Sequence, residues 1–317
     1  MDKKPMTEGM MDRQHFMKLS AAGLAGAALL GAPGIGSTAQ GAVRRASAAS
    51  ARTLTLGDIG WDENIANANL TKLLLEDDLG YSTVRLQLAD VGILFEGVAR
   101  GDLAAFEDVW MPNHTAYLNR VKDSVELLPP WYEGTTKFSM AVPSYMHVTS
   151  IAQLNSTKAR VIYGIEPGAV ITTKIRDNVI PEYHLKQQFL PSSTPAMLAQ
   201  VAKAYKAREA FVFIAWSPHW MNAKYNITYL ADPKGALGNL TKPSRLSTIV
   251  HKGLKDSDPV AYTLLRSMRL TAKQVNDMEL QINRAGNPLK GVQTWLRVNR
   301  EVVQPWVQAA KKAARRA

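Results

Sequence analysis

From Thr53 onward, apolar positions two apart alternate with stretches where they fall three and four apart, which predicts strands alternating with helices. Thr53 to Leu56 reads as a short strand. Ile65, Leu70, Leu73 and Leu74 then form the stripe of a helix from Glu63 to Leu79, capped by Asp62 and ended by Gly80. Val84 to Leu88 alternates as a strand, and Val91, Leu94, Phe95 and Val98 line a second helix closed by Gly101. A short apolar run, Leu103 to Phe106, precedes a third helix expected from Pro112 with Tyr117 and Leu118 on one face. This order predicts a mostly parallel sheet with helices on both faces.

The rhythm breaks at Leu128-Pro-Pro-Trp-Tyr-Glu-Gly134 and a second unit begins. Its expected strands are Phe138 to Val142, Arg160 to Ile165, Gln188 to Leu190 and Phe211 to Ala215. One helix follows the turn Glu166-Pro-Gly168 and carries Ile171, Ile175 and Val179. Another is capped by Ser193, with Pro195 in its first turn and Met197, Val201, Ala204 and Tyr205 facing inward. After Tyr229 the pattern reads as helical to the end. Asp258-Pro259 starts one helix, Thr271 to Gln274 fits a capping box, and Pro288 opens a last helix whose stripe holds Trp295, Val298, Val302 and Trp306, with Pro305 kinking it. The expected organisation is therefore a first lobe of 53–136 plus 225–317, and a second lobe of 137–224 inserted into it.

Residues 1–51 read as an export signal and arm rather than as fold. Asp12-Arg-Gln-His-Phe-Met-Lys18 leads into the small-residue apolar run Leu19 to Gly31, too short and Gly/Ala-rich for a permanent span. Ser37 to Ala51 then offers small-x-small cleavage sites. Arg13, Phe16 and Lys18 match a twin-arginine pattern whose second arginine is Gln14, so the twin-arginine and general secretory routes both stay open. The expected location is periplasmic or otherwise extracytoplasmic.

Composition narrows the chemistry. The chain has 317 residues and a formal charge of +11, but beyond residue 50 the balance is 32 basic to 24 acidic residues, partly in the tail Lys311 to Arg316. No basic–aromatic stripe accompanies it, which argues against nucleic acid. There are no cysteines, so disulfides, thiolate metal sites and a lipid-modified cysteine are excluded. No Gly-x-Ser-x-Gly elbow, no phosphate-binding Gly-x-x-x-x-Gly-Lys loop and no metal-spaced pair among His114, His147, His184, His219 and His251 is present. No enzyme, no cofactor and no metal is expected.

The candidate chemistry lies in tryptophans placed where strands give way to helices. Trp61 follows the first strand, Trp110 the run at Leu103 to Phe106, and Trp216 the strand Phe211 to Ala215. In open α/β sheets ligands bind at the carboxyl ends of strands. A quaternary ammonium donates no conventional hydrogen bond, and the negative faces of indoles attract it by about 2 kcal/mol or more per desolvated contact. For a ligand carboxylate two features are candidates: the loop Gly60-Trp61-Asp62, which opens a helix, and His219, three residues after Trp216. Asp62 and Glu63 can assist a cation, although helix capping explains them equally.

Gly60-Trp-Asp-Glu-Asn-Ile65, Leu74-Leu-Glu-Asp-Asp-Leu-Gly-Tyr81, Gly97-Val-Ala-Arg-Gly-Asp102, Trp110-Met-Pro112, Val142-Pro-Ser-Tyr145, Tyr163-Gly-Ile-Glu-Pro-Gly168 and Ala215-Trp-Ser-Pro-His-Trp220 occur in that order. Together they resemble the glycine betaine/choline-binding proteins of ABC-type osmoprotectant importers, from about Thr53 past Pro233. The resemblance implies a two-lobed, type II periplasmic-binding-protein fold, each lobe a mostly parallel sheet flanked by helices. It implies a monomer that closes on a compatible solute and docks on transporter membrane subunits. Trp61, Trp110 and Trp216 would form an ammonium cage, with Phe138 or Tyr145 as a fourth wall. Choline-specific members resemble Glu-Pro-Gly-Asn-Asp where this chain has Glu166-Pro-Gly-Ala-Val170, a departure that leans toward a betaine, with choline, carnitine or another cation as the alternative.

Overall fold

The structure, a computed structural model, describes Arg52–Arg315, and the expected export segment lies outside the described residues. In chain order the strands are β1 (Thr53–Asp58), β2 (Thr83–Leu88), β3 (Ala105–Met111), β4 (Val125–Leu127), β5 (Tyr132–Glu133), β6 (Lys137–Pro143), β7 (Val161–Tyr163), β8 (Gln188–Leu190), β9 (Val212–Ser217), β10 (Ile227–Tyr229), β11 (Arg245–His251) and β12 (Leu270–Thr271). They form two five-stranded sheets, ordered β2-β1-β3-β11-β4 and β10-β6-β9-β7-β8, with a small β12-β5 pair beside them.

Each large sheet is mostly parallel with one strand reversed, β11 in the first and β6 in the second. The two lobes expected from the strand–helix alternation are thus present. The second sheet reaches further along the chain than residue 224, because Ile227–Tyr229 pairs with Pro143 to Ala141 of β6.

Two expectations from periodicity fail. The stretch after Tyr229 is not helical throughout: Arg245–His251 is a fully paired strand of the first sheet, and Leu246, Ile249 and Val250 are buried. Its β-branched run was the available signal. The last helix is two, Pro288–Val298 and Arg300–Ala314, broken at Asn299. Val298 sits at that break and is 76% exposed, off the stripe, while Trp295 and Trp306 pack in the core as expected.

The helix Ala272–Ala285 starts with the expected capping box: Thr271 Oγ1 accepts from Gln274 N, and Gln274 Oε1 accepts from Thr271 N. Thr271→Ala should lower unfolding stability by about 1 kcal/mol and leave ligand binding unchanged, as urea unfolding and calorimetric titration would show. Against this helix packs Pro288–Val298, so closely that a Cβ on Gly291 would lie 2.3 Å from Ile282 Cα. The pair backs the helix Asp62–Leu73, whose amino end carries the candidate site.

Candidate ligand-binding site

Between the carboxyl ends of the two sheets lies a small cavity lined by Trp61, Glu63, Trp110, Asn113, His114, Phe138, Ile165, Val170 and Trp216. Trp61 caps the helix Asp62–Leu73 in the first lobe, reached through Gly60, whose φ of +83° suits glycine. Trp110 and Trp216 are the penultimate residues of β3 and β9, still inside the strands rather than in loops. Each is followed by a cis peptide, Met111–Pro112 and Ser217–Pro218.

Phe138 completes the aromatic wall. It lies opposite Trp216 in the β6–β9 register, with ring centroids 6.2 Å apart, and 5.6 Å from the Trp110 ring. Tyr145 does not approach the cavity. It sits beyond the end of β6, packs on Tyr205 and donates its hydroxyl to Glu209 O.

Every indole N–H around the cavity is held by a carboxylate. Trp61 Nε1 donates to Glu166 Oε2 at 2.9 Å, Trp110 Nε1 to Asp108 Oδ1 at 3.0 Å and Trp216 Nε1 to Glu63 Oε2 at 2.8 Å. Just outside, Trp220 Nε1 donates to Asp62 Oδ1 at 2.6 Å. The Asp108–Trp110 pair follows from strand geometry, since residues two apart share a face. With these N–H groups occupied, what the three cavity indoles offer to a ligand is π surface. That surface is made for a soft or quaternary cation.

Beneath the rings is a dry acidic floor. Burial raises Glu63 well above the usual carboxyl range, and the nearby Asp108 and Glu279 add to it; burial likewise raises Asp108. Glu63 Oε1 and Asp108 Oδ2 have no donor among the described groups. The charge of Asp108 disfavours ionisation of Glu63, so the two acids do not titrate independently.

The residues expected to receive a ligand carboxylate are arranged differently. Gly60, Asp62 and His219 do not line the cavity. His219 is buried, accepts from Met221 N at Nδ1 and places Nε2 3.0 Å from Asp62 Oδ2. Burial acts to raise Asp62, but His219 and the Trp220 indole outweigh it and hold the carboxyl below its ordinary value. The pair sits at the lobe junction, and His219 Nε2 is buried there without a hydrogen bond of good geometry.

His114 occupies the cavity wall instead, two residues after Pro112. Its Nδ1 accepts from Trp110 N at 3.2 Å, so its proton sits on Nε2, and burial pushes its pKa down to about 3. Nε2–H makes no hydrogen bond among the described residues; His114 lines the cavity together with Asn113, whose Oδ1 is buried without a partner. Sequence reading weighed His114 only for metal spacing. Among the described residues no cluster of metal-ligating side chains occurs.

Residues 52–298 match the family described as the substrate binding domain of ABC-type glycine betaine transport systems. A glycine betaine/carnitine transport binding protein, GbuC of Listeria monocytogenes, is 35% identical over 163 residues; the match covers 50% of this chain and 52% of that protein, so the chain spans about half the length of the curated relative it matches. Among solved structures, lactococcal OpuAC in its closed, glycine betaine-bound form is 31% identical with a TM-score of 0.73, over 81% of this chain and 99% of that one. An ABC-transporter choline binding protein in complex with choline is 26% identical with a TM-score of 0.74, over 83% and 98%.

Proposed function

Because the chain belongs to the family of substrate binding domains of ABC-type glycine betaine transport systems, we propose that it is the extracytoplasmic solute receptor of such an importer and binds glycine betaine or a related betaine. The observation that carries this reading is the cavity itself: Trp61, Trp110, Trp216 and Phe138 surround it, with the three indole N–H groups turned onto carboxylates. A trimethylammonium group is the cation whose chemistry suits these rings, with the lobes adjusting around it. The Glu63–Asp108 pair behind them supplies charge that water would otherwise screen.

The carboxylate end of the ligand is assigned to His114. Its neutral ring carries one N–H free of protein partners among the described residues, in a lining that also holds Asn113, Ile165 and Val170. A hydrogen bond from a buried donor to a carboxylate is worth about 1.5–3 kcal/mol. His114→Ala should therefore weaken glycine betaine about tenfold or more and leave tetramethylammonium nearly unchanged. Equal losses for both ligands would move the carboxylate site elsewhere.

Delivery to membrane subunits completes the proposed role, with binding rather than chemistry as the activity. Calorimetric titration of the full chain with glycine betaine, proline betaine, carnitine, choline and histidine tests it. Micromolar binding of a betaine, with choline weak, is the expected result. Choline preferred over the betaines would keep the cage and remove the role of His114, and heat from none of the quaternary amines would overturn the ligand class.

A further inference from the structure

The polar contacts that join the lobes around the cavity converge on the cage tryptophans and their neighbours. Trp61 of the first lobe donates to Glu166, which follows β7 of the second. Trp216 of the second lobe donates to Glu63 of the first. Trp220 and His219 meet Asp62, and the Tyr117 hydroxyl donates to Gly168 O at 3.0 Å.

Neither glutamate is free to wander. Glu166 is seated at the start of the helix Thr194–Lys206, where Thr194 N donates to Oε1 at 2.7 Å and Thr194 Oγ1 to Oε2 at 2.9 Å. Helix-start amides favour a carboxylate there. Glu63 is fully buried in the first turn of the helix Asp62–Leu73, which fixes it in the first lobe.

We propose that Glu166 and Glu63 are positioning residues forming a reciprocal latch: each is anchored in its own lobe and catches the indole N–H of the cage tryptophan carried by the other. This deepens, and rests on, the reading of the cavity as a quaternary ammonium site. Two consequences follow from the geometry. The side chains that wall the cation are the same ones that hold the lobes together, so cage assembly and closure are one event. An indole whose N–H is taken up by a carboxyl oxygen also leaves its ring face as the surface that a cation meets.

Glu166 is the member to test, because it does not itself line the cavity, whereas Glu63 does. Titrate the full chain, as wild type, Glu166→Ala, Glu166→Gln, Trp61→Phe and the double variant Trp61→Phe/Glu166→Ala, with tetramethylammonium and with glycine betaine, and measure radii of gyration by solution scattering at a fixed, sub-saturating ligand level. Glu166→Ala should weaken both ligands by the same factor, about tenfold or more, and enlarge the radius. Glu166→Gln should restore much of the affinity, since its amide oxygen still accepts. In the Trp61→Phe background, which lacks the indole donor, Glu166→Ala should cost little more.

Wild-type affinity in Glu166→Ala, glutamine no better than alanine, or full additivity in the double variant would each overturn the latch. Should Glu166→Ala fail to fold, Glu166→Gln combined with Trp61→Phe carries the same cycle, and additive losses there overturn it. If wild type binds neither ammonium, the ligand reading fails separately, and an unchanged radius in Glu166→Ala then overturns the latch as well.

Discussion

Trp216→Ala is expected to weaken glycine betaine binding by roughly thirtyfold or more, a loss of about 2 kcal/mol or above. Two effects add. The ligand loses a desolvated ring face, and Glu63 Oε2 loses its only donor in a fully buried position, which carries the desolvation penalty of an unpaired polar group. Trp61→Ala and Trp110→Ala should likewise cost a ring face; Trp110→Ala also strands Asp108 Oδ1, whereas Glu166 keeps its two Thr194 donors. Trp216→Phe should recover part of the loss, because it returns a ring but not the N–H. Calorimetry checks the affinity and circular dichroism checks that each variant is folded. Normal binding by all three alanine variants would remove the cage from the account.

The second large effect concerns pH. Glu107 is fully buried beside Asn67 and Thr71; burial raises its pKa from 4.5 to about 8, overcoming the Thr71 hydroxyl bond that lowers it, with a smaller upward push from Asp108. Burial and neighbouring acids also raise Glu63, Asp108 and Glu279. In each case the native state binds its proton more tightly than the unfolded chain does. The stabilising contribution is therefore complete below about pH 4 and is lost as pH climbs toward about 8. Stability should fall by a few kcal/mol across that window, and Glu107→Gln should flatten the fall.

Ligand affinity should move the other way. A quaternary ammonium favours the ionised form of the Glu63–Asp108 pair, so binding should tighten as pH rises from 6 to 8 and release protons. Thermal melts from pH 5 to 8, and titrations in two buffers of different ionisation heat, measure the two trends. A melting temperature that rises through this window, or a binding heat independent of buffer, would refute the assignment of raised carboxyls beneath the cage.

Much of the site was legible because its residues announce themselves locally. Trp110 and Trp216 each close an apolar strand and precede a proline, and Trp61 opens a strongly patterned helix. What could not be read is orientation and register. Phe138 and Tyr145 were equal candidates in the sequence, and only the pairing of β6 with β9 sets Phe138 opposite Trp216. His114 and His219 are near twins, each a few residues past a Trp and a Pro, each accepting a backbone N–H at Nδ1. They differ in place, His114 in the cavity lining and His219 beside Asp62, and that is a tertiary fact.

The fold shows the same division. Strand–helix alternation gave the two lobes and the mostly parallel sheets, whose neighbours lie close in sequence. It missed β11, whose partners in β3 and β4 come from more than a hundred residues earlier. Nor did it reveal the acid floor, because Glu107 and Asp108 look like ordinary polar positions until both are seen to be buried.

The pinned indoles give the protein an optical readout of its own. Of its seven tryptophans, Trp131, Trp295 and Trp306 are buried away from the cavity lining. Trp61, Trp216 and Trp220 exchange a carboxylate partner for water whenever the lobes part. Their emission should shift to the red on opening and back to the blue on closure. Intrinsic fluorescence therefore follows the lobes directly, with no label attached.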